Sequence, residues 1–323
     1  MGFFDTILWP FQWVVTWILR ICHEILTAIG LDETSGWNWT LSIVLLVLLI
    51  RAALIPVFVK QIKAQRAMQA LQPDLRKLQA KYKGKKDQLS QQAMLAEQRE
   101  LFKRHKTNPL SSCLPLLIQM PFFFALFHSL NNARGASENN EGIGQLTVNQ
   151  THHFADSSIF GAGLSQTFLG TFNSGSPQIA VIVISVVMIL AMVASQFITQ
   201  KQIMTKNMTK EALEGPFMQQ QKMMLYILPL VFGIGGINFP IGVLIYWTAT
   251  NLWTLAQQYY IIRRNPTPGS QAERELNARR AAKGLPPVHE KKKKAEAEAE
   301  APEVPEPPKV QRSQPQRKNR RKK

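Results

Sequence analysis

The sequence predicts an all-α, polytopic membrane protein with five transmembrane helices and a helical hairpin on the cytoplasmic side. Three observations carry that prediction. The 323 residues are 46% apolar, an ordinary value, but the apolar residues gather into runs of membrane length. The formal charge of +17 falls almost wholly between those runs. The intervening segments also alternate in sign, as they do when a chain crosses a bilayer repeatedly.

Residues 3–29 are apolar without being a clean span. Gln12, Thr16, Arg20, His23, Glu24 and Thr27 recur every three or four positions, on one face of a helix, with Trp13, Trp17 and several isoleucines elsewhere. That pattern predicts an amphipathic helix lying in the membrane interface. No basic region precedes it and no small-residue cleavage site follows it, so residues 1–36 are expected to stay in the mature chain as a helix and linker.

The run 41–59, LSIVLLVLLIRAALIPVFV, is the first span: at ~1.5 Å per residue it covers roughly 28 Å, close to the ~30 Å hydrocarbon core. Its one charge is Arg51, on the order of 13 Å inside the boundary that Lys60 marks. An unpaired Arg at that depth costs ~2.5–3.5 kcal/mol on insertion scales. Two readings remain, a functional Arg facing water or an Arg snorkelling to the headgroups, and the first is the default for an intramembrane ion.

Residues 60–106 carry 13 Lys/Arg against 4 acids. Met68, Leu71, Leu75, Leu78 and Tyr82 repeat at 3-4-3-4 spacing, which predicts one helix with a coiled-coil-like seam. A turn at Lys83, Gly84 and Lys85 leads to a second helix over 88–105. The hairpin is either a solvated spacer or a docking element; the sustained seam favours docking, with Lys81, Lys83, Lys85 and Lys86 as candidate contacts.

The second span is 109–130, with internal prolines and Gln119 near its middle. Residues 131–177 are polar and rich in Gly and Ser, and are expected to form a loop on the opposite side, with 159–172 as a loop or re-entrant piece. Spans three to five are 178–198, 223–237 and 241–262. The fourth would be only about 22 Å long as a helix, and Asn238, Phe239 and Pro240 turn it directly into the fifth. From 263 to 323 the chain is basic, Pro-rich and poor in apolar residues, the composition of a disordered tail that ends in a basic cluster including Arg320 and Arg321.

The segments 60–106, 199–222 and 263–323 carry net +9, +2 and +10, whereas residues 1–37 and 131–177 carry −3 and −2. Positive charge marks the cytoplasmic side, so the N-terminus is expected outside and the C-terminus inside.

Sequence motifs for catalysis are missing: there is no HExxH, GxSxG or P-loop, and the spans contain no Asp or Glu. An enzyme is therefore not expected, and no cofactor. Cys22 and Cys113 lie far apart in apolar settings and read as small buried hydrophobes. The adjacent His152 and His153 are a weak metal signal that a loop accident explains as well. What the spans offer is one cation with neutral polar groups: Gln119, Ser185, Ser195, Gln196, Thr248, Thr250, Asn251, Gln257 and Gln258. Each alone is helix-to-helix glue; as a set with Arg51 they predict a wet cavity.

Arg51 followed by AALIP, MQALQPDLRKLQAKYK in the basic segment, NPLSSCLPLLIQMPFFFALF in span two and NFPIGVLIYWTATNLWTLAQQYYI at the end resemble, in order and spacing, the YidC/Oxa/Alb family of membrane protein insertases. The resemblance covers about residues 37–262 and is closest to the Gram-positive type, which lacks a large periplasmic domain. It implies a five-helix core around a hydrophilic groove, a bacterial plasma-membrane location, and capture of a nascent membrane protein followed by sideways release of its apolar segment. Carried over, Arg51 matches the groove arginine, Gln119 the polar residue of span two and Trp247 the aromatic that meets substrate. The position one turn before the Arg, often polar in relatives, is Val47 here, so no hydroxyl partner for Arg51 is expected there.

The partners so implied are nascent membrane proteins and the Sec translocon, with the chain acting as a monomer. The tail suits either ribosomal RNA phosphates or anionic lipid headgroups. A passive ribosome tether and, less well supported, a small-solute transporter are the rival readings; no inverted repeat supports the latter.

Overall fold

The computed structural model describes residues 3–105, 107, 108, 114–173, 175, 177–214 and 216–288. The chain clusters into two compact units, 1–276 and 277–323. The first is helical apart from one tiny hairpin.

Helix α1 (Phe3–Ala28) forms as the periodicity predicts, with its polar stripe turned towards protein. Gln12 Nε2 donates to Ser129 Oγ at 3.5 Å, Thr16 Oγ1 accepts the amide of Gln145 at 3.0 Å, and Asn38 Nδ2 donates to Thr27 Oγ1 at 2.9 Å. Trp9, Trp13 and Trp17, at i, i+4 and i+8, are exposed instead. The amphipathic helix thus presents its aromatic face outwards.

Helix α2 (Gly36–Ala53) starts at Ser35, whose hydroxyl accepts the Trp37 amide. The first span is divided at Leu54. α2 stops at Leu54 and α3 (Ile55–Ala70) begins with Pro56 in its first turn, because a proline cannot donate the amide that would continue the helix. The same device divides the predicted seam helix: α3 ends at Leu71, and α4 (Gln72–Lys81) starts with Pro73. The seam survives the break, with Met68, Leu71, Leu75 and Leu78 all buried. Asp87 then caps α5 (Gln88–Arg104) by accepting the Ser90 amide at 2.8 Å.

Helix α6 (Leu114–Glu138) runs well past the expected end of span two, and residues 109–113 of that span lie outside the described residues. The segment expected as a loop after it is instead packed structure. α7 (Val148–Asp156) opens with a capping box between Thr147 and Gln150. The strands β1 (Ser158–Ile159) and β2 (Ala162–Gly163) form a hairpin whose two-residue turn, Phe160 and Gly161, has positive φ at both positions, and α8 (Phe168–Asn173) follows. Ile143, Leu146, Phe154, Ile159 and Leu164 join the main core with Trp39, Leu126 and Tyr246. Polar composition hid this layer, because only a few of its residues, Ile143, Leu146, Phe154, Ile159 and Leu164 among them, are apolar and buried.

Helices α9 (Ile179–Asn207), α10 (Lys210–Glu214), α11 (Pro216–Gly236) and α12 (Ile241–Arg264) complete the bundle. The fourth apolar run therefore sits inside a longer helix. The packed segment closes one end of the bundle: the first amides of α12, at Ile241 and Gly242, donate to the carbonyls of Gln166 and Leu164 at 2.9 Å, so the orphan donors of the helix start are satisfied. Among the described residues, two helices are both long and apolar enough to cross a membrane, Gly36–Ala53 and Ile179–Asn207, and Gln221–Gly236 is a shorter apolar piece.

The tail is not disordered from residue 263. α13 (Gln271–Ala281) follows α12, and the link between them is tied to the end of α9: Asn207 Oδ1 accepts the Thr267 amide at 2.9 Å, and Lys206 Nζ meets Glu275 at 2.5 Å. Residues 289–323, including Arg320 and Arg321, lie outside the described residues.

Candidate functional site: a polar cavity around Arg51

A cavity of ≈ 240 Å³ lies among α2, α3, α6, α9, α11 and α12. α2 supplies Arg51 in its last turn. After the break at Leu54, α3 supplies Phe58, Gln61, Ile62 and Gln65, at i, i+3, i+4 and i+7. α6 contributes Gln119 and Phe123, α9 contributes Gln196, and α11 contributes Leu228 and Phe232. α12 contributes Tyr246, Trp247, Thr250, Asn251, Thr254, Gln257 and Gln258.

Arg51 is only 8% exposed. Phe58 lies under its guanidinium at 5.1 Å to the ring centre, and its Nε has no protein partner. Among the described residues, no acid lines the cavity. Tyr246, almost fully buried, accepts a hydrogen bond from Gln119 Nε2. Trp247 is fixed by aromatics on three elements: Phe123 and Phe232 at 4.6 Å each, and Phe239 stacked at 5.7 Å. Trp253 Nε1 donates to Gln257 Oε1 at 3.0 Å, which orients that amide.

Four lining groups lack any protein hydrogen-bond partner: Arg51 Nε, Gln196 Oε1, Thr250 Oγ1 and Asn251 Nδ2. Leaving each one dry costs ~1–3 kcal/mol, more for the charge, so a water or polar group that reached them would be favoured by that much. It also extends in two directions. A pocket of ≈ 140 Å³ towards α9 and α11 shares Gln196, Leu228, Asn251 and Thr254 with it, and a slot of ≈ 500 Å³ between α3 and α12 shares Ile62 and Gln257.

The fold therefore brings Arg51, Gln119, Gln196, Trp247, Thr250 and Asn251 to one cavity. Thr248 is buried but does not line it; one residue along a helix turns a side chain by ~100°, away from the face that Trp247 and Asn251 share. The sequence reading missed Gln61 and Gln65, assigned to the basic segment because they follow Lys60, although their spacing from Phe58 is helical. Tyr246 was missed because its hydroxyl sits in an otherwise apolar run.

Of the candidate docking lysines, Lys83, Lys85 and Lys86 are exposed at the tip of the α4–α5 hairpin. Lys81 is engaged: its Nζ meets Glu97 at 2.6 Å, and Tyr82 Oη donates to the same carboxylate at 2.7 Å. Both contacts hold the Glu97 carboxyl below its ordinary range. The two ring nitrogens of His152 are taken by Ser137 at 2.6 Å and Asn140 at 3.1 Å, which accounts for that side chain without a metal.

A family model described as "60Kd inner membrane protein" matches residues 30–268. The chain is 48% identical over 278 residues to a Streptomyces avermitilis protein named Membrane protein insertase YidC, covering 83% of this chain but only 62% of that protein's length. It is 40% identical to a protein of the same name from Tropheryma whipplei, covering 84% of this chain and 88% of the relative. A third, from Bifidobacterium longum, is 34% identical over 99% of the chain and 96% of its own length. A solved structure titled "Active YidC insertase crystal structure with the first transmembrane domain resolved" superposes with a TM-score of 0.45 at 22% identity, covering 80% of this chain and 47% of that one.

Proposed function

The chain belongs to the 60Kd inner membrane protein family, the YidC-type membrane protein insertases, and from that premise we propose that it receives nascent membrane proteins in the Arg51 cavity and releases their apolar segments sideways into the bilayer. One observation carries the reading: among the described residues, a buried cation with no acid in its cavity stands beside polar groups that have no protein partner. Such a site attracts an acidic or polar stretch and hydrates it partway across the membrane, which lowers the desolvation barrier to crossing. A membrane potential adds ~2.3 kcal/mol per charge per 100 mV in drawing acidic residues outwards. The work is binding and release, with no covalent step.

In this reading α2, α6, α9, α11 and α12 cross the bacterial plasma membrane, α1 lies in the outer interface through its tryptophan face, and the C-terminus is cytoplasmic. The charge asymmetry between segments supports that orientation. The exposed lysines of the hairpin tip and the basic residues of 289–323 suit ribosomal RNA phosphates.

The test is ribosome-coupled insertion, into proteoliposomes, of a single-spanning client with an acidic outer tail. Arg51→Lys is expected to keep most insertion and Arg51→Ala to lose about tenfold or more, the equivalent of ~1.4 kcal/mol in capture. Equal insertion by all three proteins would remove the cavity charge from the mechanism.

A further inference from the structure

The slot between α3 and α12 has a chemistry of its own. Its α3 wall carries Ile55 and Val59 and then Lys63 and Arg66, so one helix face changes from apolar to basic over roughly 16 Å. The α12 wall runs parallel, from Trp253 and Ala256 to Tyr260 and then the helix end at Asn265. The two walls meet at the basic end, where both terminal nitrogens of Arg66 bond to Asn265, one to the side-chain oxygen at 3.2 Å and the other to the backbone carbonyl. Arg66 Nε is buried and has no partner. Lys63 is exposed, and among the described residues no acid lines the slot. Ile55, Val59 and Tyr260 are themselves about half exposed, at 47%, 45% and 66%, so the slot opens sideways rather than being sealed in the core.

We propose that this slot is a binding site for one anionic phospholipid, with an acyl chain against Ile55, Val59 and Trp253 and the phosphate at Lys63 and Arg66. A small soluble anion has no use for a mostly apolar slot, and a neutral acyl chain has no use for two cations at one end. An amphiphile with an anionic head satisfies both. In the orientation proposed above, on which this inference rests, the basic end lies at the cytoplasmic leaflet, where anionic lipids reside and each nearby Lys or Arg adds to the attraction. Because the slot shares Ile62 and Gln257 with the Arg51 cavity, the seated lipid forms that cavity's wall on the α3–α12 side.

The experiment is native mass spectrometry of the full-length protein in detergent, titrated separately with phosphatidylglycerol and with phosphatidylcholine of the same chains. Phosphatidylglycerol is expected to bind the tighter of the two, and Lys63→Gln to weaken it about fivefold while leaving phosphatidylcholine unchanged. Ala256→Leu, which narrows the apolar end, is expected to lower occupancy by both lipids; Lys63→Gln, at an exposed position, keeps the test meaningful if that variant misfolds. Equal affinity for the two lipids, or indifference of phosphatidylglycerol binding to Lys63→Gln, would overturn the proposal. The titration contains no client, so its outcome is independent of the Arg51 insertion assay.

Discussion

Arg51 sits in the final turn of α2, where the partial negative charge of a helix C-terminus favours a cation by ~0.3–1 kcal/mol or somewhat more when buried. The ring of Phe58 adds to this, and among the described residues no carboxylate shares the site. Gln119→Glu therefore puts the first acid in the cavity. It is expected to cut insertion of an acidic-tailed client by about tenfold, while a client with a neutral tail is spared. Trp247 has a different task. Truncating it empties the centre of a cluster of three phenylalanines, and Trp247→Ala is expected to cost about 3 kcal/mol of stability, read as a lowered unfolding midpoint in detergent. Tyr246→Phe removes only the acceptor for Gln119 beside a polar cavity, for a cost of about 0.5–1.5 kcal/mol in the same measurement.

At the scale of elements, prolines set where helices restart, and close backbone approach sets where they meet. Gly36 opens α2 directly against the backbone of Ser158 in β1, and a methyl there would overlap that carbonyl. Backbone cannot rotate away as a side chain does, so Gly36→Ala is expected to destabilise the packed layer by about 1–3 kcal/mol, seen as faster amide exchange through β1 and α7. The α4–α5 hairpin is tied by Lys81 and Tyr82 to Glu97, and its pH dependence follows from the signs. Glu97 has its carboxyl held down first by Lys81, so its contribution is complete above its ordinary value of 4.5 and is lost as pH falls through the lower folded value. Lys81 is held up by the same contact, so its contribution is complete below its ordinary 10.5 and disappears as pH rises through the higher folded value. Spin labels at Ala80 and Ala96 are expected to report a closed hairpin between those limits and an opened one in acid. Glu97→Gln should remove the acid transition.

At the scale of the whole molecule, a set of apolar side chains on two helices is left uncovered by the described residues. On α9, Ile179, Val183, Val187 and Leu190 are each more than half exposed, as are Ile227, Leu230, Val231 and Ile234 on α11. Faces this large on a stable fold need a non-aqueous neighbour, and hydrocarbon is the one the proposed placement supplies. Leu190→Arg is expected to cost ~2.5–3.5 kcal/mol in membrane integration, measured as the protease-protected fraction. At the other end of the chain, a cut after residue 288 keeps α13 and its tether to α9, whereas a cut at 263 would remove folded structure. Deleting 289–323 is accordingly expected to leave thermal stability unchanged and to weaken ribosome cosedimentation, with a shallower dependence on salt.

The family resemblance marked Trp247; hydropathy, charge asymmetry and local periodicity alone marked α1 with its polar stripe, the α4–α5 hairpin, the apolar helices and a polar set that includes Arg51, Gln119, Gln196, Thr250 and Asn251. Those features depend on neighbours a few residues apart or on a cation too costly to face lipid, so they are written locally. Tertiary structure alone decided the rest. Whether Thr248 or Thr250 enters the cavity depends on which face of α12 turns to it, and Gln61 and Gln65 join it because they share the face of α3 that carries Phe58. The structure within residues 131–173 and 263–288 likewise comes from distant partners: Leu164 and Gln166 cap α12, and Asn207 holds Thr267. Polar composition marks such segments as loops, because the groups that satisfy their backbones lie far away in the chain.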